Sequence, residues 1–147
     1  MKAFTYTNSC LHDVAGAQLV DALQSSGYKV TRGHFGGEAS TQEVDKLVSL
    51  GRQSKVDFVI ALGGGKTIDT AKNVADVLKL PVAVLPTTAS TDAPCSALSV
   101  IYTDGGEFEK YTFYDKNPNL VLVDTSVVVQ APARFLAAGI EIGRAHV

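Results

Sequence analysis

Apolar and polar positions along the chain switch between two periods, and the switches mark out alternating strands and helices. Lys2–Thr7 alternates and is rich in β-prone residues; residues 13–25 then set Ala15, Leu19, Ala22 and Leu23 on one helical face before Gly27 stops the helix. Residues 28–34 read as a second strand. Ser40, followed three positions later by Glu43, gives a capping-box pattern ahead of Val44, Leu47 and Val48 at helical spacing. The stretch 56–62 is nearly continuous apolar, as a strand covered on both faces requires, and it runs straight into Gly63-Gly64-Gly65-Lys66-Thr67. A third helix begins there, with Ile68, Ala71, Ala75 and Leu78 along one face, and 82–85 supplies the next buried strand.

After that strand the pattern changes. Residues 86–94 form a polar loop of small side chains, and 96–103 pairs with 108–114 across Asp104-Gly105-Gly106 as a hairpin. A further apolar strand, 120–123, ends at Asp124. Strands alternating with helices of about a dozen residues imply parallel βαβ units with right-handed crossovers. The expected architecture is α/β: a Rossmann-like doubly wound parallel sheet with an inserted β-hairpin, its ligands at the carboxyl ends of the strands.

Composition narrows the function classes. The chain has 147 residues, 46% of them apolar, enough to bury roughly 70% of the unfolded surface without staples. A net charge of −2 with no basic run excludes the electrostatics of nucleic-acid binding and gives no sign of a membrane surface. Cys10 and Cys95 have no ligand-like spacing and read as reduced thiols, and residues 1–10 show no leader pattern, so a cytoplasmic protein is expected.

The candidate chemistry sits where strand 56–62 hands over to a helix. A helix amino terminus offers free N–H groups and a positive partial charge to a phosphate; glycines let the backbone come close, and Lys66 adds a full charge. The spacing fails two stricter motifs. A P-loop needs a glycine where Ile60 stands, and the dinucleotide fingerprint needs one at Ile68. A generic pyrophosphate cradle and a tight structural turn both remain. Loop 87–96 leaves the next strand at the same sheet edge with hydroxyls on Thr87, Thr88, Ser90, Thr91 and Ser96. Asp92 is its one carboxylate, suited either to a ligand or to its own loop backbone. Asp69 reads as structural, an acid in the first helical turn that complements the dipole.

Gly-Gly-Gly-Lys-Thr-x-Asp-Thr-Ala-Lys over 63–72, with Ser-Thr-Asp-Ala-Pro-Cys-Ser-Ala-Leu-Ser-Val-Ile-Tyr over 90–102, resembles the glycerol dehydrogenases of the iron-containing, metal-dependent alcohol dehydrogenase superfamily. The likeness runs from about Lys2 to Ile140 and includes Phe35-Gly-Gly-Glu38, Asn117-Pro-Asn119, Val123-Asp-Thr125 and the stretch from Ala131 to Ile140. It implies oxidation of glycerol to dihydroxyacetone with NAD and a catalytic Zn²⁺. It further implies that Gly63, Gly64, Gly65 and Lys66 hold the NAD pyrophosphate, that Thr87 and Ser90 line the groove, that Ser96, Leu98 and Tyr102 border the nicotinamide, and that Asp92 bonds the polyol. Asn8 stands where the family usually places an aspartate on the adenosine ribose, which loosens the choice between NAD and NADP.

The family has an amino-terminal nucleotide-binding domain and a carboxyl-terminal helical domain with zinc between them, and this chain resembles only the first. Residues 1–140 are the expected NAD-binding domain, incomplete at both ends. The family continues Gly-Asp after Ile140, the aspartate being a metal ligand; Glu141-Ile142 stand there instead, so residues 141–147 are expected to be a non-native tail. The further ligands are histidines of the absent domain, and His12, His34 and His146 fill none of those positions. No metal-binding and no catalytic residue is therefore assigned, and the chain alone is expected to bind nucleotide weakly and to turn over no alcohol. Homo-oligomers are expected of the full-length form. The alternatives are a dehydrogenase of a related polyol or of glycerol phosphate, or a non-catalytic nucleotide-binding module.

Overall fold

The computed structural model describes residues 1–7 and 15–145, with the side chains of Tyr6 and Thr7 left aside. Five strands form a parallel sheet: β1 (Lys2–Thr7), β2 (Lys29–His34), β3 (Phe58–Gly63), β4 (Val82–Pro86) and β7 (Leu120–Val121), in the order β2-β1-β3-β4-β7. A separate antiparallel hairpin joins β5 (Leu98–Tyr102) to β6 (Phe108–Phe113). Helices α1 (Ala17–Ser25), α2 (Thr41–Ser54), α3 (Gly65–Leu78), α4 (Thr125–Val128) and α5 (Ala133–Ala145) complete the chain. This is the doubly wound architecture expected, in the variant whose order reverses between β1 and β3. The step from β1 to β2 runs one way along the sheet and the step from β2 to β3 the other. Right-handed crossovers therefore put α1 on one face and α2 with α3 on the opposite one.

The local rules act as the sequence implies. Ser40 caps α2, its Oγ accepting from Glu43 N–H at 3.2 Å, and Gly27 closes α1 in the left-handed conformation at φ +84°. In the hairpin turn, Gly106 N–H donates to Thr103 O at 2.9 Å. Phe4, Leu47, Val59, Ile68, Val74 and Val84 are the largest fully buried apolar side chains of the main core, which lies between the sheet and α2 with α3. Burial of β3 on both faces explains why its sequence shows no alternation.

One helical reading needs correction, and a second, whose expected face is buried, needs widening. On α1 it is Val20 that is buried, while Ala22 is exposed; the expected start at Asp13 and Val14 lies outside the described residues. On α3 burial is not confined to one face. It covers Thr67, Ile68, Asp69, Thr70, Ala71 and Lys72 in succession, because β5 covers the helix from a second side. Among the described residues no helix is long and apolar enough to cross a membrane.

Candidate functional site

Gly63 ends β3, Gly64 is the N-cap of α3 and Gly65 its first residue, so the triple glycine lies at the β1/β3 switch point, outside the carboxyl ends of the strands. No side chain caps this terminus. Its first-turn N–H groups are the ones a helix leaves unpaired. A Cβ on Gly63 would sit 2.8 Å from Thr67, and one on Gly65 would sit 3.2 Å from Thr91 Cγ2, so side chains there would fill the corner.

Loop 87–97 starts at the same place, because Gly63 is in register with Pro86 and Thr87 N–H donates to Gly63 O at 3.0 Å. The Thr87 hydroxyl is buried with no hydrogen-bond partner among the described residues. Such a group costs about 1–3 kcal/mol unless a ligand or water satisfies it. Further along, Thr88 Oγ1 and Ser90 Oγ lie 3.0 Å apart. Thr91 Oγ1 accepts from Ala93 N–H at 3.2 Å. Thr91 thus makes the side-chain turn bond considered for Asp92, whose carboxylate lies exposed.

Lys66 is engaged in a way the sequence reading did not anticipate. Its ammonium lies 2.7 Å from Glu38 Oε2 and 5.2 Å from the centre of the Tyr102 ring. Tyr102 N–H donates to Ala39 O at 2.8 Å, so the segment after β2, the hairpin and the glycine corner meet around this one cation. The signal for Glu38 lay in Phe35-Gly-Gly-Glu38 at the end of β2, one strand from the switch point.

Lys72 was missed altogether. Its side chain is 2% exposed and its Nζ faces Asp69 Oδ1 at 3.1 Å. The same ammonium donates to Ala93 O at 2.9 Å, to Ser96 O and Oγ at 3.3 Å, and to Leu98 O. Asp69 is structural, but not as a dipole partner: it lies beyond the first turn, and its Oδ2 accepts from Val100 N–H at 3.1 Å, fastening the hairpin to α3. Burial pushes the Asp69 carboxyl up and the Lys72 ammonium down, and their mutual attraction opposes both shifts. Nothing in the helix sequence, which also carries Lys66, Thr67, Thr70, Asn73 and Asp76, sets this pair apart.

The structure therefore brings together Gly63, Gly64, Gly65, Lys66, Thr87 and Ser90 at one sheet edge, with Ser96, Leu98 and Tyr102 on the adjoining loop and hairpin. Asn8, with Cys10, His12 and His146, lies outside the described residues. Helix α5 also reaches the site: a Cβ on Gly139 would fall 1.8 Å from Ala89 O. Glu141 to Ala145 continue that helix. Among the described residues no three His, Cys, Asp or Glu side chains converge as metal ligands. A cavity of about 400 Å³ lies at the other end of the sheet, where β4 begins, lined by Lys79, Pro81, Lys116 and Asn119 among others. Its polar groups are in part already paired, Asp76 with Lys79 at 3.2 Å and Asn119 Oδ1 with Val82 N–H at 3.0 Å. Shape alone does not make it the site.

Comparison with known proteins identifies the family. The sequence is 58% identical over 111 residues to glycerol dehydrogenase of Thermotoga maritima, covering 76% of this chain and 30% of that protein. It is 41% identical over 143 residues to glycolaldehyde reductase of Halobacterium salinarum, covering 97% and 39%. The crystal structure of glycerol dehydrogenase from Schizosaccharomyces pombe superposes with a TM-score of 0.85 at 46% identity, over 95% of this chain and 35% of that one. The chain thus spans about a third of the length of the relatives it matches. Residues 3–125 match the family described as iron-containing alcohol dehydrogenase, and the chain belongs to that family.

Proposed function

We propose that residues 1–140 are the dinucleotide-binding domain of a polyol dehydrogenase that oxidises glycerol to dihydroxyacetone with NAD⁺. One observation carries this reading: the uncapped amino terminus of α3 stands at the switch point beside the buried, unpartnered hydroxyl of Thr87. That corner has free donors, a positive dipole end and glycines that keep side chains out, which is what a diphosphate requires. Gly63, Gly64, Gly65 and Lys66 would hold the diphosphate, with Thr87 and Ser90 along the groove. Ser96, Leu98 and Tyr102 would border the nicotinamide, Asn8 would meet the adenosine ribose, and the exposed Asp92 carboxylate would accept hydrogen bonds from the polyol. The nucleotide, when bound, supplies a hydride acceptor. This chain's own residues bind and orient. The family resemblance calls for a zinc ion as well, but the described residues do not assemble its ligands, so no step is derived through a metal.

The relatives' names support glycerol as substrate, and the site's chemistry favours a neutral polyol over a phosphorylated one. Loop 87–96 contributes no Lys or Arg. The cation that does reach it, Lys72, is buried among carbonyl oxygens. Homo-oligomers are proposed for the full-length form, as the family resemblance implies.

Titration of NAD⁺ and NADP⁺ against the wild type and Lys66→Ala tests the diphosphate site. Loss of a charge-assisted contact lowers affinity by about 10- to 100-fold. Unchanged affinity in Lys66→Ala would remove the cradle assignment. Asp92→Ala in the full-length enzyme is expected to abolish glycerol turnover while leaving dinucleotide affinity in place.

A further inference from the structure

We propose that Lys72 is a positioning residue, its buried ammonium acting as a tethered cation that holds segment 93–98 against α3 and so fixes Asp92, Ser96 and Leu98 for the polyol and the nicotinamide. The inference deepens the reading above and rests on it for the identity of the ligands. It does not rest on it for the anchoring itself.

Three backbone carbonyls, those of Ala93, Ser96 and Leu98, turn toward one point in the interior, and Lys72 Nζ occupies that point. Ser96 Oγ and Asp69 Oδ1 complete a cage of five oxygens around three N–H donors. Such carbonyls, left without a donor, would each carry a desolvation cost, so the segment keeps this course only while the cation is there. Asp69 adds the second half of the fastening. Its Oδ2 takes Val100 N–H at 3.1 Å, and its backbone oxygen accepts from Ser99 Oγ at 2.9 Å. Apart from the Asp69–Lys72 pair itself, which lies within α3, each of these contacts joins α3 to the loop or to β5. None touches the glycine corner, which is built from β3, the first turn of α3 and Thr87. The two ends of the site are therefore held by different means: the diphosphate corner by the backbone of the sheet and helix, and the nicotinamide and polyol end by Lys72 together with Asp69.

That division gives the test a readout a general core defect would not mimic. Lys72→Met alone strands the Asp69 carboxylate, a buried unpaired charge that can unfold a protein for unrelated reasons. The informative variant is Asp69→Asn combined with Lys72→Met, which removes both charges and keeps the Val100 acceptor. In the double variant, amides of 91–98 are expected to lose hydrogen-exchange protection while β1, β3 and β4 retain theirs. ADP, the probe for the diphosphate corner, is expected to bind within about twofold of wild type, while NADH affinity falls about tenfold as the competent loop becomes a minor state. Wild-type-like protection of 91–98, an unchanged ratio of NADH to ADP affinity, or a uniform loss of protection across loop and sheet would each overturn the proposal. If the wild type binds neither ADP nor NADH, the dinucleotide reading fails, and the exchange comparison still decides whether Lys72 anchors the loop.

Discussion

Helices α3 and α5 are nearly the same length, 14 and 13 residues, and both carry an apolar stripe at helical spacing. Their fates differ. Helix α3 buries Ile68, Ala71, Val74 and Ala75 together with the polar Thr67, Asp69, Thr70 and Lys72, whereas α5 has no buried residue and leaves Leu136 and Ile140 each 56% exposed. The stripe records which face of a helix gains from burial. Whether anything lies against that face is decided elsewhere in the chain. Helix α3 has β3 and β4 beneath it, α2 beside it and β5 across it. Helix α5 meets the Ala89 carbonyl at Gly139, and the exposed Leu122, Val123 and Val129 precede it in the chain.

The contrast predicts unequal costs for the same kind of truncation. Ile68→Ala removes a side chain with no exposure from the centre of the core and should cost about 2–5 kcal/mol in denaturant unfolding, through lost burial plus the cavity left behind. Leu136→Ala should stay within about 0.5 kcal/mol. A comparable loss at both positions would mean that α5 is covered in solution. A finer contrast lies within α5 itself. A Cβ at Gly139 collides with backbone at 1.8 Å, while one at Gly143 meets nothing within 4 Å. Gly143→Ala should therefore stabilise the helix by up to about 1 kcal/mol, as alanine does at any unobstructed helical position. Gly139→Ala should push the helix off the loop, seen as faster hydrogen exchange at Ala89 and Ser90. Equal behaviour of the two variants would show that α5 does not rest on the loop.

The same contrast sets what was legible beforehand. The strands β3 and β4 could be read because two-sided burial leaves uninterrupted apolar runs, and the hairpin because Asp104-Gly105-Gly106 announces a turn. The glycine corner was legible because its function is local, a strand end and a helix start adjacent in sequence. Lys72 and Asp69 were not. Their burial depends on β5, which arrives some 30 residues later, and a helix read alone places an Asp-x-x-Lys pair in solvent. Lys66 and Glu38 are likewise 28 positions apart, so neither predicts the other. On α1 Val20 and Ala22 lie on nearly opposite faces, and which of them is buried turns on the helix's rotation over the sheet, which the short pattern of this helix does not fix.

Two aspartates carry the comparison to its smallest measurable effect. Asp69 on α3 has its carboxyl pushed up by burial, while Asp124, fully exposed at the amino end of α4, has its own held below the ordinary 3.8 by the hydroxyl and N–H of Ser126 at 2.6 and 2.9 Å. The signs follow from linkage. For Asp124 the unfolded chain takes up its proton first as pH falls. Its contribution is thus complete above the ordinary value and is lost as pH drops through the lower folded one. For Asp69 the unfolded chain releases its proton first as pH rises, so stability declines across the window that opens above 3.8. Carboxyl-carbon NMR titration should show the two resonances moving on opposite sides of the ordinary aspartate midpoint. Ser126→Ala should bring Asp124 back toward that midpoint and leave Asp69 where it was. If Asp124 titrates normally in the wild type, the cap is not formed in solution, and the start of α4 is no better held than the exposed apolar surface around it.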